Sequence, residues 1–371
     1  MKSTRRPSIF ISCGELSGDF HAANVVRHLL PEWDVRGIYG PHLRHATAGV
    51  GEVAQVESLS VMGLWEVLCQ YRTIRKVYVT ALESMRNNPP DILLLVDYPG
   101  FNMRLMRQVK TEFPAVKVFY YIPPKVWAWK VGRAADISRF SDRICTIFPF
   151  EEQYYQADKV HYVGNPLVSN TYSPAETPDP NLIALLPGSR RSEVERLFPI
   201  LLDVARNIPD KQCVVPVALS LGMSFFERYT LPDNVRLELR PVSEMCRFAW
   251  AAVVASGTAS LEMAVLGIPH VVVYKVNPLT WMIGRRIVKL PFVSLPNIIA
   301  GREVVPEYLQ DKCQAATICG RLRELCDPLL HQWIRDELLA LRLQLDRGNA
   351  SQAVAQEINN MMVRDTPSRL P

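Results

Sequence analysis

The sequence predicts an α/β protein in two halves, each a parallel sheet with helices on both faces. Three observations carry that expectation. Short, wholly apolar runs alternate with helix-period segments, as strands buried on both faces and their crossover helices require. The second half repeats the strand–turn–helix rhythm of the first. Between them, residues 165–180 place Pro166, Pro174, Pro178 and Pro180 among polar residues, which reads as a linker. At 371 residues the chain is long enough for two domains, read as 1–165 and 166–349, with a C-terminal helix at about 350–364 returning to the first.

Residues 9–12 form the first strand. Gly14-Glu15-Leu16-Ser17-Gly18-Asp19 follows and opens a helix to about Leu30. Two glycines let the chain turn tightly, and Glu15, Ser17 and Asp19 stand where open α/β sheets bind ligands. Capping of the helix by Ser17 or Asp19 is the plain alternative. Residues 35–39 are the second strand. From Leu64 to about Met85, Leu64, Val67, Leu68, Tyr71, Ile74, Tyr78 and Leu82 keep helical spacing and read as core. Val61, Met62 and Trp65 fall off that stripe, with Arg72, Arg75 and Lys76 close behind. Apolar bulk beside basic residues suits an anionic lipid surface; a partner interface or plain core is the competing reading.

Residues 91–96 are a strand ending in Asp97-Tyr98-Pro99-Gly100-Phe101-Asn102. There Asp97 is either a general base or an ordinary turn residue. The strand at 116–122 runs into Pro123-Pro124-Lys125-Val126-Trp127-Ala128-Trp129, a Pro-rich loop whose Trp127 and Trp129 suit stacking on a sugar or acyl chain. A strand at 143–148, a short helix at 150–156 and a strand at 160–163 complete this half.

The strand at 182–186 meets Pro187-Gly188-Ser189, with Arg190 and Arg191 beside the turn. Ser192 and Glu195 have capping-box spacing, Val194, Leu197, Leu201 and Val204 share a stripe, and Pro199 is expected to kink or restart the helix. Such a turn is an anion site at a helix N-terminus, or an ordinary turn with two solvated arginines. Strands follow at 213–217, 235–239, 252–255 and 270–274. Ser256-Gly257-Thr258 makes a second glycine-containing turn, with Thr258 as N-cap, Gly267 as the residue past the helix end, and Glu262 facing either a ribose or water. Two such turns in one half suit the two ends of a nucleotide. A helix at 278–289, a polar loop at 294–303, a short helix near Pro306 and tail helices at 328–345 and 350–364 end the chain.

Composition narrows the class. Hydrophobic content of 48% with 21% charged residues describes a globular chain, and no apolar run reaches the length of a membrane span. The start lacks the apolar core of a signal peptide. A formal charge of +5 permits an anionic substrate or surface without pointing to nucleic acid. Eight cysteines without a Cys-x-x-Cys, several in apolar runs (Cys13, Cys145, Cys213), read as reduced thiols in a cytoplasmic protein. Seven histidines without a His-x-x-x-His pair give no sign of a metal.

The motifs at Gly14 to Asp19, Val61-Met62-Gly63, Asp97 to Asn102, Val126 to Trp129, Leu186 to Arg190, Ala255 to Ala259, and Ser294 to Asn297 with Gly301-Arg302-Glu303 resemble, in order, those of the lipid-A-disaccharide synthase family. The two halves likewise resemble GT-B glycosyltransferases, two Rossmann-like domains facing an interdomain cleft. The resemblance implies an inverting transfer from UDP-2,3-diacylglucosamine to 2,3-diacylglucosamine 1-phosphate (lipid X). The products are the β-1,6-linked lipid A disaccharide 1-phosphate and UDP. No cofactor and no metal are implied. It further implies a peripheral position on the cytoplasmic face of the anionic inner membrane, and permits a homodimer. A UDP-sugar epimerase or hydrolase of the same fold, or a non-catalytic membrane-associated binding protein, are the alternatives.

By that resemblance Asp97 is the base for the acceptor hydroxyl, Glu15 the reserve, and Arg190 the charge that meets the departing UDP. Gly188, Ser189, Arg191, Ser256, Gly257, Thr258, Glu262, Asn297 and Arg302 fall on the nucleotide-sugar side. Ser17, Asn102, Trp127 and Trp129 fall on the acceptor side, and Val61, Met62, Leu64, Trp65, Leu68 and Arg72 become the membrane contact. The chain departs from the family pattern at Pro123, Asn165 and Ser169.

Overall fold

Runs such as Ile92–Val96, apolar at every position, can be buried only if both faces of the sheet are covered. The computed structural model shows that arrangement twice. It describes residues 5–59, 64–129, 131–170, 173–174, 177–287 and 290–364, with side chains at all of these except 64–70, 129, 170, 279, 283–285, 287 and 363–364. The chain forms two compact units, Met1–Pro166 with Arg347–Pro371, and Leu167–Asp346.

In the first unit, β1 (Ser8–Cys13), β2 (Asp34–Tyr39), β3 (Glu52–Gln55), β4 (Ile92–Val96), β5 (Lys117–Tyr121), β6 (Arg143–Thr146) and β7 (Val160–Tyr162) form one sheet. Its order is β3-β2-β1-β4-β5-β6-β7, and every recorded pairing is parallel. One core joins the sheet to its helices, and it includes Ala350, Val354, Ala355 and Ile358 of the C-terminal helix Ala350–Arg364. That helix is pinned by Trp33 Nε1, which donates to Asn359 Oδ1 at 2.9 Å, and by Arg143 against Glu357 at 3.1 Å.

In the second unit, β8 (Asp179–Leu186), β9 (Gln212–Pro216), β10 (Val235–Glu238), β11 (Ala249–Ala255), β12 (His270–Tyr274) and β13 (Glu307–Leu309) run parallel in the order β10-β9-β8-β11-β12-β13. The strand period of two assigns alternate residues to opposite layers. Ile183 and Leu185 enter one core, while Leu182, Ala184 and Leu186 enter another. The doubly wound α/β class expected from the sequence is therefore present in both units.

Several local expectations are corrected. Tyr71 is 55% exposed, although Leu82 of the expected stripe is buried, Ile74 and Tyr78 pack against the core, and Val77, Ala81 and Met85 of the helix Leu64–Asn87 are buried with them. Arg190, rather than Ser192, occupies the N-cap position of the helix Arg191–Arg206, with no side-chain cap bond, and the helix runs through Pro199 without restarting. Gly257 precedes its helix and Thr258 is the first helical residue, although Gly267 does follow the end with φ +66°. The expected loop at 294–303 contains the helix Leu295–Ala300, and the segment after Pro306 is strand β13. Val61 and Met62 lie outside the described residues, as do the side chains of Leu64, Trp65 and Leu68. Among the described residues no helix is long and apolar enough to cross a membrane.

Candidate active site

In both sheets the strand order reverses between the first strand and its inner neighbour, β1 against β4 and β8 against β11. Open α/β sheets bind ligands outside the carboxyl ends of the strands at such a switch point. The four turns singled out in the sequence leave these four strands: 14–17 follows β1, 97–98 follows β4, 187–190 follows β8 and 256–258 follows β11. Topology thus brings two turns together in each unit.

In the first unit the turn after β4 is strained. Asp97 and Tyr98 have φ of +47° and +49°, and Ile122, which follows β5, has +54°. An L-residue in this region costs about 1–2 kcal/mol, so the surroundings must hold it there. Among the described residues five non-glycine positions are left-handed, and three of them sit on this one sheet edge. The ring of Tyr98 lies over Gly14, where an added Cβ would stand 2.0 Å from it, so the turn after β1 must be glycine for the two turns to approach. Tyr98 Oη donates to the Leu59 carbonyl at 2.7 Å.

Burial raises the Asp97 carboxyl above its ordinary range, opposed by the Tyr98 N–H and the charge of exposed Lys125. Its main-chain carbonyl accepts from Asn102 Nδ2 at 2.8 Å and from Tyr120 Oη at 3.0 Å. Glu15 is exposed at the N-cap of the helix Leu16–Arg27, and its charge helps to raise the Tyr98 phenol, after burial, which is the larger cause. Ser17 is exposed beside it. Asp19 is a cap, but of another helix: its carboxylate accepts from the N–H groups of Gly40, His42 and Leu43 and so closes the N-terminus of Pro41–Ala46.

Two acceptor-side expectations are corrected. Asn102 has no exposed surface; its amide donates to the carbonyls of Ser12, Val96 and Asp97 and its Oδ1 accepts from Ser12 Oγ at 2.6 Å. All of these partners lie within the protein, and one of them is the main-chain carbonyl of Asp97. Trp127 is not a platform in a surface loop. It is buried against Phe148 and Phe150, and its Nε1 donates to Glu151 Oε1 at 2.9 Å. Glu151 also accepts from the N–H groups of Ile147 and Phe148, while burial pushes its carboxyl up to about 7. The Trp129 side chain lies outside the described residues.

In the second unit, Gly188 has φ +103°, and a Cβ there would meet Glu193 Oε2 at 2.7 Å. The exposed Ser189 and Arg190 follow, and the Arg190 guanidinium, 65% exposed, is held loosely by Glu193 at 3.3 Å. This presents a cation at the N-terminus of a 16-residue helix, where unpaired backbone N–H groups already favour an anion. Arg191 faces elsewhere. With Arg228 it packs on the Phe225 ring and pairs with Glu195, lining a 430 Å³ surface cavity. Tyr274, at the end of β12, senses the charges of both Glu193 and Arg190, although burial is the larger cause raising its phenol.

The turn after β11 leaves Gly257 and Thr258 exposed, while Ser256 Oγ donates to the Val293 carbonyl at 3.0 Å. Glu262 is partly buried: burial pushes its carboxyl up to about 6, opposed by the neighbouring Ser243. Asn297 is wholly buried. Its Oδ1 accepts from the N–H groups of Val304 and Val305, and its amide donates to the Val305 carbonyl and to Glu307. Every hydrogen bond recorded for the amide is thus internal to this unit. Glu307 further accepts from Val293 N–H and from the N–H and hydroxyl of Ser294, which ties the segment to β13. Arg302 is paired with Glu337.

Sequence reasoning missed Ser12, Tyr120, Glu193 and Glu307, all of which orient a turn rather than form one. The only local signal was a polar or phenolic residue inside an apolar strand, as at Ser12 and Tyr120.

Comparison with known proteins agrees with this frame. A family model described as lipid-A-disaccharide synthetase matches residues 9–357. The chain is 37% identical to the lipid-A-disaccharide synthase of Geobacter metallireducens, covering 95% of this chain and 97% of that one. It is 35% identical to that of Coxiella burnetii, covering 96% and 98%. Among solved structures it resembles CalG4, the calicheamicin glycosyltransferase, with TM-score 0.65 at 13% identity over 98% of this chain and 100% of that one. It also resembles a UDP-GlcNAc 2-epimerase from Neisseria meningitidis bound to UDP-GlcNAc, with TM-score 0.63 at 12% identity over 95% and 99%. These last two likenesses speak to the fold alone, which is GT-B. Near-complete matches to relatives above 30% identity speak to descent, and the chain belongs to the lipid-A-disaccharide synthase family.

Proposed function

We propose that this chain transfers the diacylglucosamine of UDP-2,3-diacylglucosamine to the 6-hydroxyl of 2,3-diacylglucosamine 1-phosphate, with inversion, giving the β-1,6-linked disaccharide 1-phosphate and UDP. Asp97 takes the proton of the attacking hydroxyl. Arg190 and the helix N-terminus behind Gly188 meet the charge that grows on the departing diphosphate. Glu193 holds Arg190 at that turn, and Glu262, Ser256 and Asn297 shape the neighbouring one. The observation that carries the reading is the strained carboxylate turn at the switch point of the first sheet, Asp97 and Tyr98 both left-handed. Strain of this kind is retained where the surroundings over-determine a geometry that the chemistry needs. A desolvated carboxyl with a raised pKa is a better proton acceptor than a solvated one, and the hydroxyl need become acidic only as the sugar–phosphate bond breaks.

Both substrates carry acyl chains, so the enzyme works as a peripheral protein on the anionic cytoplasmic face of the inner membrane. The exposed residues Tyr71, Arg72, Arg75 and Lys76 on the helix Leu64–Asn87 support that docking face. Supplying the two diacylated sugars together tests the reaction: UDP and a disaccharide 1-phosphate are expected. Conversion of the donor alone would indicate an epimerase or hydrolase, and binding without turnover a non-catalytic protein.

A further inference from the structure

We propose that Asn102 and Tyr120 are positioning residues that aim the Asp97 carboxylate by clamping its main-chain carbonyl, an inference that rests on reading Asp97 as the base. Two left-handed residues in succession, neither of them glycine, have no local reason to persist. Their neighbours supply one. The Asp97 carbonyl receives two donors from different elements: Asn102 Nδ2 at 2.8 Å from the helix Pro99–Glu112, and Tyr120 Oη at 3.0 Å from β5. The Asp97 N–H donates to the Tyr121 carbonyl at 3.2 Å, so both of its main-chain groups are fixed.

Asn102 is itself held. Ser12 Oγ donates to its Oδ1 at 2.6 Å, and its Nδ2 also reaches the carbonyls of Ser12 and Val96 at 3.2 and 3.3 Å. The network therefore spans the ends of β1 and β4 and ends on the peptide that follows Asp97. Holding both the N–H and the carbonyl of Asp97 fixes its φ and ψ, and with them the direction in which its Cα–Cβ bond leaves the turn. Asn102 and Tyr120 are both 0% exposed, so neither can touch a substrate, and any effect on turnover must pass through Asp97. A fixed main chain leaves the carboxylate only its own two side-chain torsions rather than a mobile turn, which is the preorganisation that proton abstraction needs.

The test is Tyr120→Phe, which removes one hydroxyl and keeps the ring, assayed with both diacylated sugars. A fall in kcat of about 10- to 100-fold is expected, with KM for each substrate changed by less than about twofold. In an Asp97→Asn background the same substitution should produce no further fall in residual turnover, because the carboxylate it places is gone. Asn102→Ala reads the clamp from its other side and should give the same loss confined to kcat. Wild-type kcat in Tyr120→Phe, with Asp97→Asn inactive, overturns the clamp and spares the base. Wild-type rates in Asp97→Asn overturn the base and the clamp with it. Equal further losses in the double variant would place Tyr120 in another role, and failure of both clamp variants to fold would make the network a stability device only; either result overturns the proposal.

Discussion

Asn297→Ala separates a structural from a ligand-binding role in the second unit. The substitution removes two accepted and two donated hydrogen bonds, from Val304 N–H, from Val305 N–H, to the Val305 carbonyl and to Glu307. Each nets about 1 kcal/mol when formed, and buried groups left without a partner cost more. The expected loss is about 4 kcal/mol, a large share of the 5–15 kcal/mol that holds a typical domain. With a urea slope of about 2 kcal/mol/M, the midpoint should fall by about 2 M. Hydrogen exchange gives the local readout. At about 1.4 kcal/mol per tenfold, the amides of Val304 and Val305 should lose about two to three decades of protection, while amides of the first unit keep theirs. Weakened UDP binding should accompany the loss of protection. A variant with the wild-type urea midpoint and wild-type exchange over residues 293–309 that nevertheless fails to bind UDP would refute this reasoning and return Asn297 to the nucleotide.

Other expectations concern the chemistry and the surface. With ionised Asp97 as the proposed base, burial that raises its carboxyl predicts that kcat/KM climbs with pH through a limb above the ordinary value of 3.8. Lys125→Ala, which removes a cation that lowers it, should move the limb higher still; a downward shift in the pH–rate profile would contradict the assignment. Arg190→Ala should cost about 10²- to 10³-fold in kcat, as loss of a preorganised charge does, whereas Arg302→Ala, already paired with Glu337, should change it by less than about threefold. The reverse order in steady-state kinetics would exchange their roles. Trp65→Glu combined with Arg72→Glu should weaken sedimentation with phosphatidylglycerol vesicles by about 10-fold, from lost apolar burial and lost attraction of the basic residue. Unchanged sedimentation would remove that face from the membrane.

The sequence by itself determined the longer, apolar strands and the switch-point turns, but not the short strands Glu52–Gln55 and Glu307–Leu309. A strand buried on both faces must be apolar at every position, and a turn with a side chain packed hard against its backbone, or with a left-handed φ, calls for glycine; both are local demands, legible at residues 92–96 and at Gly14 and Gly188. Amphipathic helices were legible where one stripe was long, and misleading at Tyr71, which faces solvent. The short strand Glu307–Leu309 was illegible, because three residues carry no period and acquire their form from β12. Only the tertiary structure decided what the conspicuous polar and aromatic side chains do. Trp127, Asn102 and Asn297 have the composition of a binding site, yet each spends its hydrogen bonds on groups that lie against it only in the fold: Glu151, Ser12 and Glu307. A buried polar atom must find a partner, and sequence separation hides which one it finds. The same holds for Asp97, whose spacing marked a carboxylate at a strand end, while its left-handed backbone and clamped carbonyl exist only because β1, β4 and β5 are neighbours.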